Sequence, residues 1–325
     1  MTGLFLAPIV AWLAATPAQA GDVTFMGWGD VYLRRSELPE EPLHFDQGHL
    51  YLLADARVNS AWSLFTEVEL EHLPSVKAGQ THGEIAADRV YIEVASDLGR
   101  LRFGKVNTPF GIRVPTHWAL LTPMVSKPAI EGMADVQHHI VGVEAHAELP
   151  LGNHELAMTA VVHNGMEESG TGDPVDGLTG AAGDLALTLS SVHRVGASFF
   201  RRGDLGVSGA GQHSFAGYVD LVLPANLHLR AESARFHAYT PDVHSTHYAL
   251  CTYTLHFYDP VTLGYRLGFG SSQYVSDFAD AVAHTANLSW VPADSVRTVL
   301  EYEQAADLDG ELVARGMLLW LGASF

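Results

Sequence analysis

The sequence predicts an all-β fold: one transmembrane up-and-down antiparallel β-barrel of about sixteen strands, with short turns at one end and long loops at the other. Three observations lead there. Hydrophobicity alternates with period two, and no window shows the 3.6-residue period of a helix. The connections alternate in length, short after every even strand and long after every odd one. Beyond the first twenty residues no apolar run approaches the roughly 18 to 20 residues that a membrane helix needs, so any crossing of a membrane must use strands.

Composition narrows the class before any element is placed. The 325 residues are 47% hydrophobic and only 17% charged, too apolar for a disordered chain and too long for a small disulfide-stapled module. Lys and Arg number 18 against 37 Asp and Glu, a net −19 with histidine neutral. Nucleic-acid binding rests on basic residues that neutralise phosphates, which argues against such a partner. Cys251 is the single cysteine, which excludes an internal disulfide, zinc ribbons, thioredoxin-type chemistry and covalent haem attachment. Neither a G-x-S-x-G elbow nor a phosphate-binding P-loop occurs, so the chain is not expected to be an enzyme or to carry a cofactor.

The elements follow in order. Residues 1–20 read as an export signal: Leu4 to Ala15 is apolar, Pro17 breaks the run, and Ala18-Gln19-Ala20 is the small-residue pattern that a signal peptidase cuts. Its first residues, Met1-Thr2-Gly3, lack the usual basic charge. The barrel then occupies 21–325. Its first strand covers 22–34 and its second 45–58, where Leu50, Leu52, Ala54 and Ala56 alternate with Tyr51, Leu53, Asp55 and Arg57. The third, 61–72, sets Trp62, Leu64, Thr66, Val68 and Leu70 against Ser63, Phe65, Glu67, Glu69 and Glu71. The fourth, 85–96, sets Val90, Ile92 and Val94 against Arg89, Tyr91 and Glu93. Strands at 99–106, 137–149, 152–164, 183–191, 193–203, 212–223, 226–238 and 245–257 come next. The thirteenth, 260–272, alternates Val261, Leu263, Tyr265, Leu267 and Phe269 with Thr262, Gly264, Arg266, Gly268 and Gly270. Strands 281–291 and 294–304 precede the last, 311–325, which puts Met317, Leu319, Leu321, Ala323 and Phe325 on one face and ends on the aromatic.

Tight turns fall at Asn59-Ser60, Asp97-Leu98, Pro150-Leu151, around Val192, and at Pro224-Ala225, Asp259-Pro260 and Pro292-Ala293. The longer connections are 35–44, 73–84, 107–136, 165–182, 204–211, 239–244, 273–280 and 305–310. Barrels of the bacterial outer membrane have this asymmetry, with short periplasmic turns, long extracellular loops and both termini inside. Closure also removes the open edges that a sheet of this size would expose.

With the apolar face turned to lipid, the other face lines the bore. It carries the acids Asp55, Glu67, Glu69, Glu71 and Glu93 and the bases Arg89, Arg100 and Arg102. Sixteen strands enclose more space than side chains fill, which implies water inside and a channel for small hydrophilic solutes or ions. Carboxylates outnumber arginines on this face, so a cation preference that fades with salt is expected. The acidic row Glu67, Glu69, Glu71 and the basic row Arg89, Arg100, Arg102 either set up a transverse field or pair across strands.

The longest loop, 107–136, contains Trp118, Leu120, Leu121, Met124, Val125 and Ile130. A solvated loop would not be so apolar, which suggests that it folds inward and narrows the bore. It follows the run Leu101-Arg102-Phe103-Gly104-Lys105-Val106-Asn107-Thr108-Pro109-Phe110-Gly111. On that run the chain resembles bacterial outer-membrane porins, particularly the phosphate-selective-porin-like group. The terminal Phe325 is similar to the signal by which such proteins reach their assembly machinery. The resemblance implies a homotrimer in outer-membrane lipid whose third loop forms the constriction, with Lys105, Pro109, Phe110, Gly111, Arg113, His117 and Lys127 at or near it. It departs in lysine: only Lys77, Lys105 and Lys127 occur, where that group clusters lysines.

Eighteen histidines stand out, with His138, His139, His244 and His247 the best local candidates for a metal at the rim. No strict ligand spacing appears, and no bound metal is expected. Two alternatives to the cation-preferring channel remain at this point: a barrel sheathing a periplasmic partner such as a cytochrome in an electron conduit, and an anion- or phosphate-type specific channel.

Overall fold

The computed structural model describes residues 22–38, 40–71, 84–116, 122–126, 136, 138–164, 180–202, 212–237, 243–255, 261–270 and 281–325. They form β1 (Val23–Leu38), β2 (Glu40–Arg57), β3 (Trp62–Glu71), β4 (Glu84–Ser96), β5 (Gly99–Asn107), β6 (His139–Leu151), β7 (His154–His163) and β8 (Gly180–Leu189). The second half adds β9 (His193–Arg202), β10 (Gln212–Leu223), β11 (Leu227–His237), β12 (Val243–Thr254), β13 (Val261–Phe269), β14 (Ala281–Ala293), β15 (Val296–Asp307) and β16 (Leu312–Ser324). Each strand pairs antiparallel with its chain neighbour, and β1 closes on β16 to complete a sixteen-stranded barrel. Closure gives every strand a neighbour on both sides, which removes the open edges of a flat sheet.

The period-two pattern sorts the faces as the sequence suggests. Leu52, Trp62, Ile92, Leu101, Leu263, Leu267, Leu319 and Leu321 are all exposed on the outer wall. In water such a band would drive aggregation; in hydrocarbon it is the proper solvent for it. The inner face holds the polar residues. At the seam, Asp30 of β1 is buried and accepts hydrogen bonds from the Trp320 indole at 3.0 Å and from the His49 backbone amide at 2.7 Å. Trp28 stacks on Tyr51 beside it, with ring centroids 4.6 Å apart. One carboxylate thus joins the first, second and last strands.

Three expectations need correcting. The connection expected over 35–44 is strand: β1 and β2 continue pairing from Arg34 opposite His44 to Glu37 opposite Glu40. Alternation persists there although the residues turn polar, so the hairpin extends past the apolar band. Second, Lys105 lies within β5, opposite Val90 and Val141, on the outward face of Leu101 and Phe103. It stands apart from the loop that follows. Third, the inner face is not uniformly polar. Val106, Ile140, Val161, Phe200 and Phe236 point inward and are buried together, each at the long-loop end of its strand. The export signal expected over 1–20, and His117 and Lys127, lie outside the described residues.

Candidate functional site

The chain leaves β5 and does not stay at the rim. Residues 108–116 run inward, turning at Gly111 and ending in a 3-10 turn over Val114–Thr116. Internal bonds hold the segment in shape: the Asn107 side chain donates to the Pro115 carbonyl at 3.1 Å, and the Thr116 hydroxyl to that of Ile112 at 2.7 Å. Phe110 and Val114 are fully buried, packed with Val106, Ile140, Val161, Phe200 and Phe236. Apolar inward positions on β5 to β11 therefore have a partner: they receive this segment, and the burial of its side chains drives it into the barrel.

Polar anchors fix its course. The Gly111 amide donates to the Ser198 hydroxyl of β9 at 2.8 Å. Ser198 in turn donates to Asp184 at 2.7 Å, which also accepts from the Tyr218 hydroxyl at 2.9 Å. The backbone amides of Ile112 and Arg113 donate to the carboxylate of Glu232 on β11, which also accepts from the Tyr248 hydroxyl at 3.0 Å. Gly111 has φ +66° and presses on this carboxylate; a Cβ there would overlap it. Glycine suits the position on both counts.

Residues 122–126 then lie against the far side of the ring. The amides of Val125 and Ser126 donate to Glu301 of β15 at 3.1 and 3.0 Å. Arg266 of β13 donates to the Ser126 carbonyl at 2.6 Å and to Glu303 at 3.1 Å. Asn287 and Arg297 both donate to the Pro123 carbonyl, at 2.6 and 2.7 Å. In a ring of sixteen, β13 is the strand diametrically opposite β5. The described parts of the loop, 108–116 and 122–126, thus both lie inside the barrel, tied by backbone amides to carboxylates on β11 and β15 and by carbonyls to two arginines.

The predicted acidic and basic rows occupy the wall of β3 to β6. Glu67 is fully buried and paired with Arg89. Arg102 bridges Glu93 at 2.7 Å and Glu144 at 2.9 Å. Arg100 lies 3.7 Å from Glu148 near the short-turn end. Arg89 and Arg102 stack over Phe65 and Tyr91, whose rings are 5.1 Å apart. Glu69 is buried between the Tyr51 hydroxyl and His49. Asp55 is half-buried farther along the same face. Glu71 ends β3, and its side chain lies outside what is described. The rows thus come together as pairs, the arrangement in which acid and base compensate each other.

Of the loop residues, Pro109, Phe110, Gly111 and Arg113 are buried inside the barrel. The segment's anchors Ser198, Glu232, Arg266, Asn287, Arg297 and Glu301 were not legible as a site. Their inward facing could be read from alternation; that they grip a loop up to 176 residues away could not. Of the histidines, His139 pairs opposite Asn107 on β5, and the His138 and His139 rings are 6.4 Å apart. His247 meets the Ser233 hydroxyl at 2.8 Å on the outer wall, and the His244 side chain is not described. Among the described residues no group of three or more potential ligands is placed to hold a metal ion.

No protein-family model matches the chain, and no curated protein sequence does. Solved structures do match in fold. The trimer form of in-vitro folded OmpT, an outer membrane protein of Vibrio cholerae, aligns with TM-score 0.61 at 12% identity, covering 94% of this chain and 100% of that one. OmpF of Salmonella typhi, in complex with daunomycin, gives 0.67 at 10% identity over 94% and 98%. An anion-selective porin from Comamonas acidovorans gives 0.65 at 10% identity over 94% and 100%. The barrel is thus similar in fold, over nearly its whole length, to bacterial porins.

Proposed function

We propose that the chain forms a narrow channel in the bacterial outer membrane through which small hydrophilic solutes or ions diffuse, and that residues 108–126 set its width. The observation that carries this reading is the loop after β5, whose described parts lie inside the barrel and are tied to Glu232 on β11 and to Glu301 on β15. A barrel serving only as a wall would not need two carboxylates, two arginines and an apolar pocket to hold a loop inside it. The apolar outer band, the asymmetry of turns and loops, and the shared fold support the membrane and its sidedness. The trimeric state belongs to the reading by likeness to the OmpT trimer form alone. No reaction is assigned to the chain.

The charge preference is better read as anion-type than as the cation preference that composition suggests. Glu67 and Glu303 each pair with an arginine, Glu93 and Glu144 share Arg102, and Glu232 and Glu301 are engaged by amides. Arg113, Arg230 and Arg266 line a cavity of about 20 Å³ beside the segment, together with Tyr248, and no carboxylate lines it although Arg230 pairs with Asp220 and Arg266 with Glu303 on their outer sides. Its likeness to the phosphate-selective group rests on residues 101–111 alone, so the anion is not named. A barrel sheathing a cytochrome needs an unobstructed bore, and residues 108–116 and 122–126 occupy part of it.

Flux of uncharged sugars of increasing size into vesicles, with reversal potential read under a salt gradient, tests the reading. The expected result is a sharp size cut-off and anion-selective reversal, reduced in Arg113→Gln with Arg230→Gln. Cation-selective reversal that those substitutions leave unmoved would overturn the anion reading, and no flux of any sugar or ion would overturn the channel.

A further inference from the structure

Both described parts of the loop and three strands meet at one small cavity. It holds about 20 Å³ and is lined by Arg113 of the first part, Ser126 of the second, and Arg230, Tyr248 and Arg266 of β11, β12 and β13. Arg113 and Arg266 are buried there. Charge around this point is balanced in number but sorted in place. Asp220 takes Arg230 from one side, accepting from its Nε at 3.2 Å and from one Nη at 2.8 Å. Glu303 takes Arg266 at 3.1 Å. Glu232 accepts from the Tyr248 hydroxyl and from the amides of Ile112 and Arg113, and Glu301 accepts from those of Val125 and Ser126. None of these four carboxylates lines the cavity.

Three arginines therefore border one space with no acid between them. Like charges brought together in a low-dielectric interior repel, and the repulsion acts against the docking of Arg113 and the loop that carries it. Each guanidinium has five N–H donors, more than a single carboxylate takes. Size decides between occupants. The volume exceeds the roughly 10–15 Å³ that one water needs and falls far short of the roughly 300–1,000 Å³ of sites for small organic molecules. A water is neutral and leaves the repulsion in place. One small anion offsets it and accepts charge-assisted hydrogen bonds from the arginines around it.

We propose that this cavity is a binding site for a single halide ion, chloride under ordinary conditions, which ties Arg113 of the loop to Arg230 and Arg266 of the wall. The ion is then part of the loop's seat, and the loop's hold on β11 to β13 depends on halide concentration. The inference rests on the reading of these arginines as an anion site, and not on conduction.

The test follows urea unfolding of the refolded full chain in detergent while sodium chloride replaces sodium gluconate at constant ionic strength, gluconate being too large for the cavity. The equilibrium constant of unfolding should fall along a one-site saturation curve, about elevenfold at ten times the half-saturating chloride concentration. Bromide should act as chloride does. Arg113→Gln should abolish the chloride dependence, whereas Arg57→Gln, at the short-turn end of β2, should keep it in full. If Arg113→Gln folds poorly, crystals of the unsubstituted chain grown in bromide give a second readout: one anomalous peak within hydrogen-bond reach of Arg113, Arg230 and Arg266. An adventitious ion only, with bromide on the surface and none in the cavity, would overturn the proposal. So would equal unfolding in chloride and gluconate, or a chloride effect that Arg113→Gln leaves whole. Chloride-dependent unfolding together with cation-selective reversal would uphold the site and refute the anion preference of the channel.

Discussion

Glu232 and Glu301 differ from the other carboxylates of the interior in what they hold, since each takes two consecutive backbone amides of one segment. Replacing Glu232 by Gln keeps the shape but turns an N–H₂ toward N–H donors. The cost is about 1–3 kcal/mol, and the expected readout is a larger, noisier single-channel current. Gly111→Ala adds a Cβ where φ is positive and Glu232 is in the way, which costs at least about 1–2 kcal/mol; the urea midpoint of unfolding should fall. Glu67→Gln leaves Arg89 facing an amide in place of a carboxylate. It should lower stability by about 1–3 kcal/mol and, by leaving Arg89 uncompensated, move the reversal potential toward anions; an unmoved potential would place the pair away from the ion path. Alternation alone was enough to turn Glu67, Glu69, Arg89 and Arg102 inward. Their pairing was not legible, because Glu67 meets Arg89 only through a bulge at Asp88 that nothing in the local sequence announces.

At the scale of elements, the strands were legible because one face of each must meet lipid, and a period of two survives every register. What alternation cannot give is where a strand stops, and β1 and β2 run past the apolar band because polar residues sustain the same ladder. The inward placement of 108–116 and 122–126 was foreshadowed by the apolar content of the loop, yet their docking positions depend on inward residues of β9 to β15 that read as ordinary lumen side chains. The short turns show a different economy. After β10 the chain reverses through Ala225 and Asn226, both with positive φ, at 65° and 58°. Asparagine tolerates this region and alanine does not. Ala225→Gly should therefore stabilise the barrel by up to about 1 kcal/mol, seen as a higher urea midpoint in refolding titrations. A lower midpoint would mean that the turn is not held in this conformation.

For the whole molecule, closure gives each strand two neighbours and puts an apolar band outside, a result legible from strand count and loop asymmetry. Charge was the less legible property, because a net −19 says nothing of which carboxylates are matched by arginines, which grip a loop and which face water. The interior is instead divided between a compensated wall on β3 to β6, a dry apolar pocket on β5 to β12, and arginines around the loop segment. If that segment sets the width of the bore, its removal is the most direct test. Single-channel current in a planar bilayer should be compared for the full chain and for a variant in which residues 113–126 are replaced by a short Gly-Ser link. The account predicts a small, steady conductance for the full chain and one several-fold larger for the variant. Equal conductances, with both barrels folded, would contradict it.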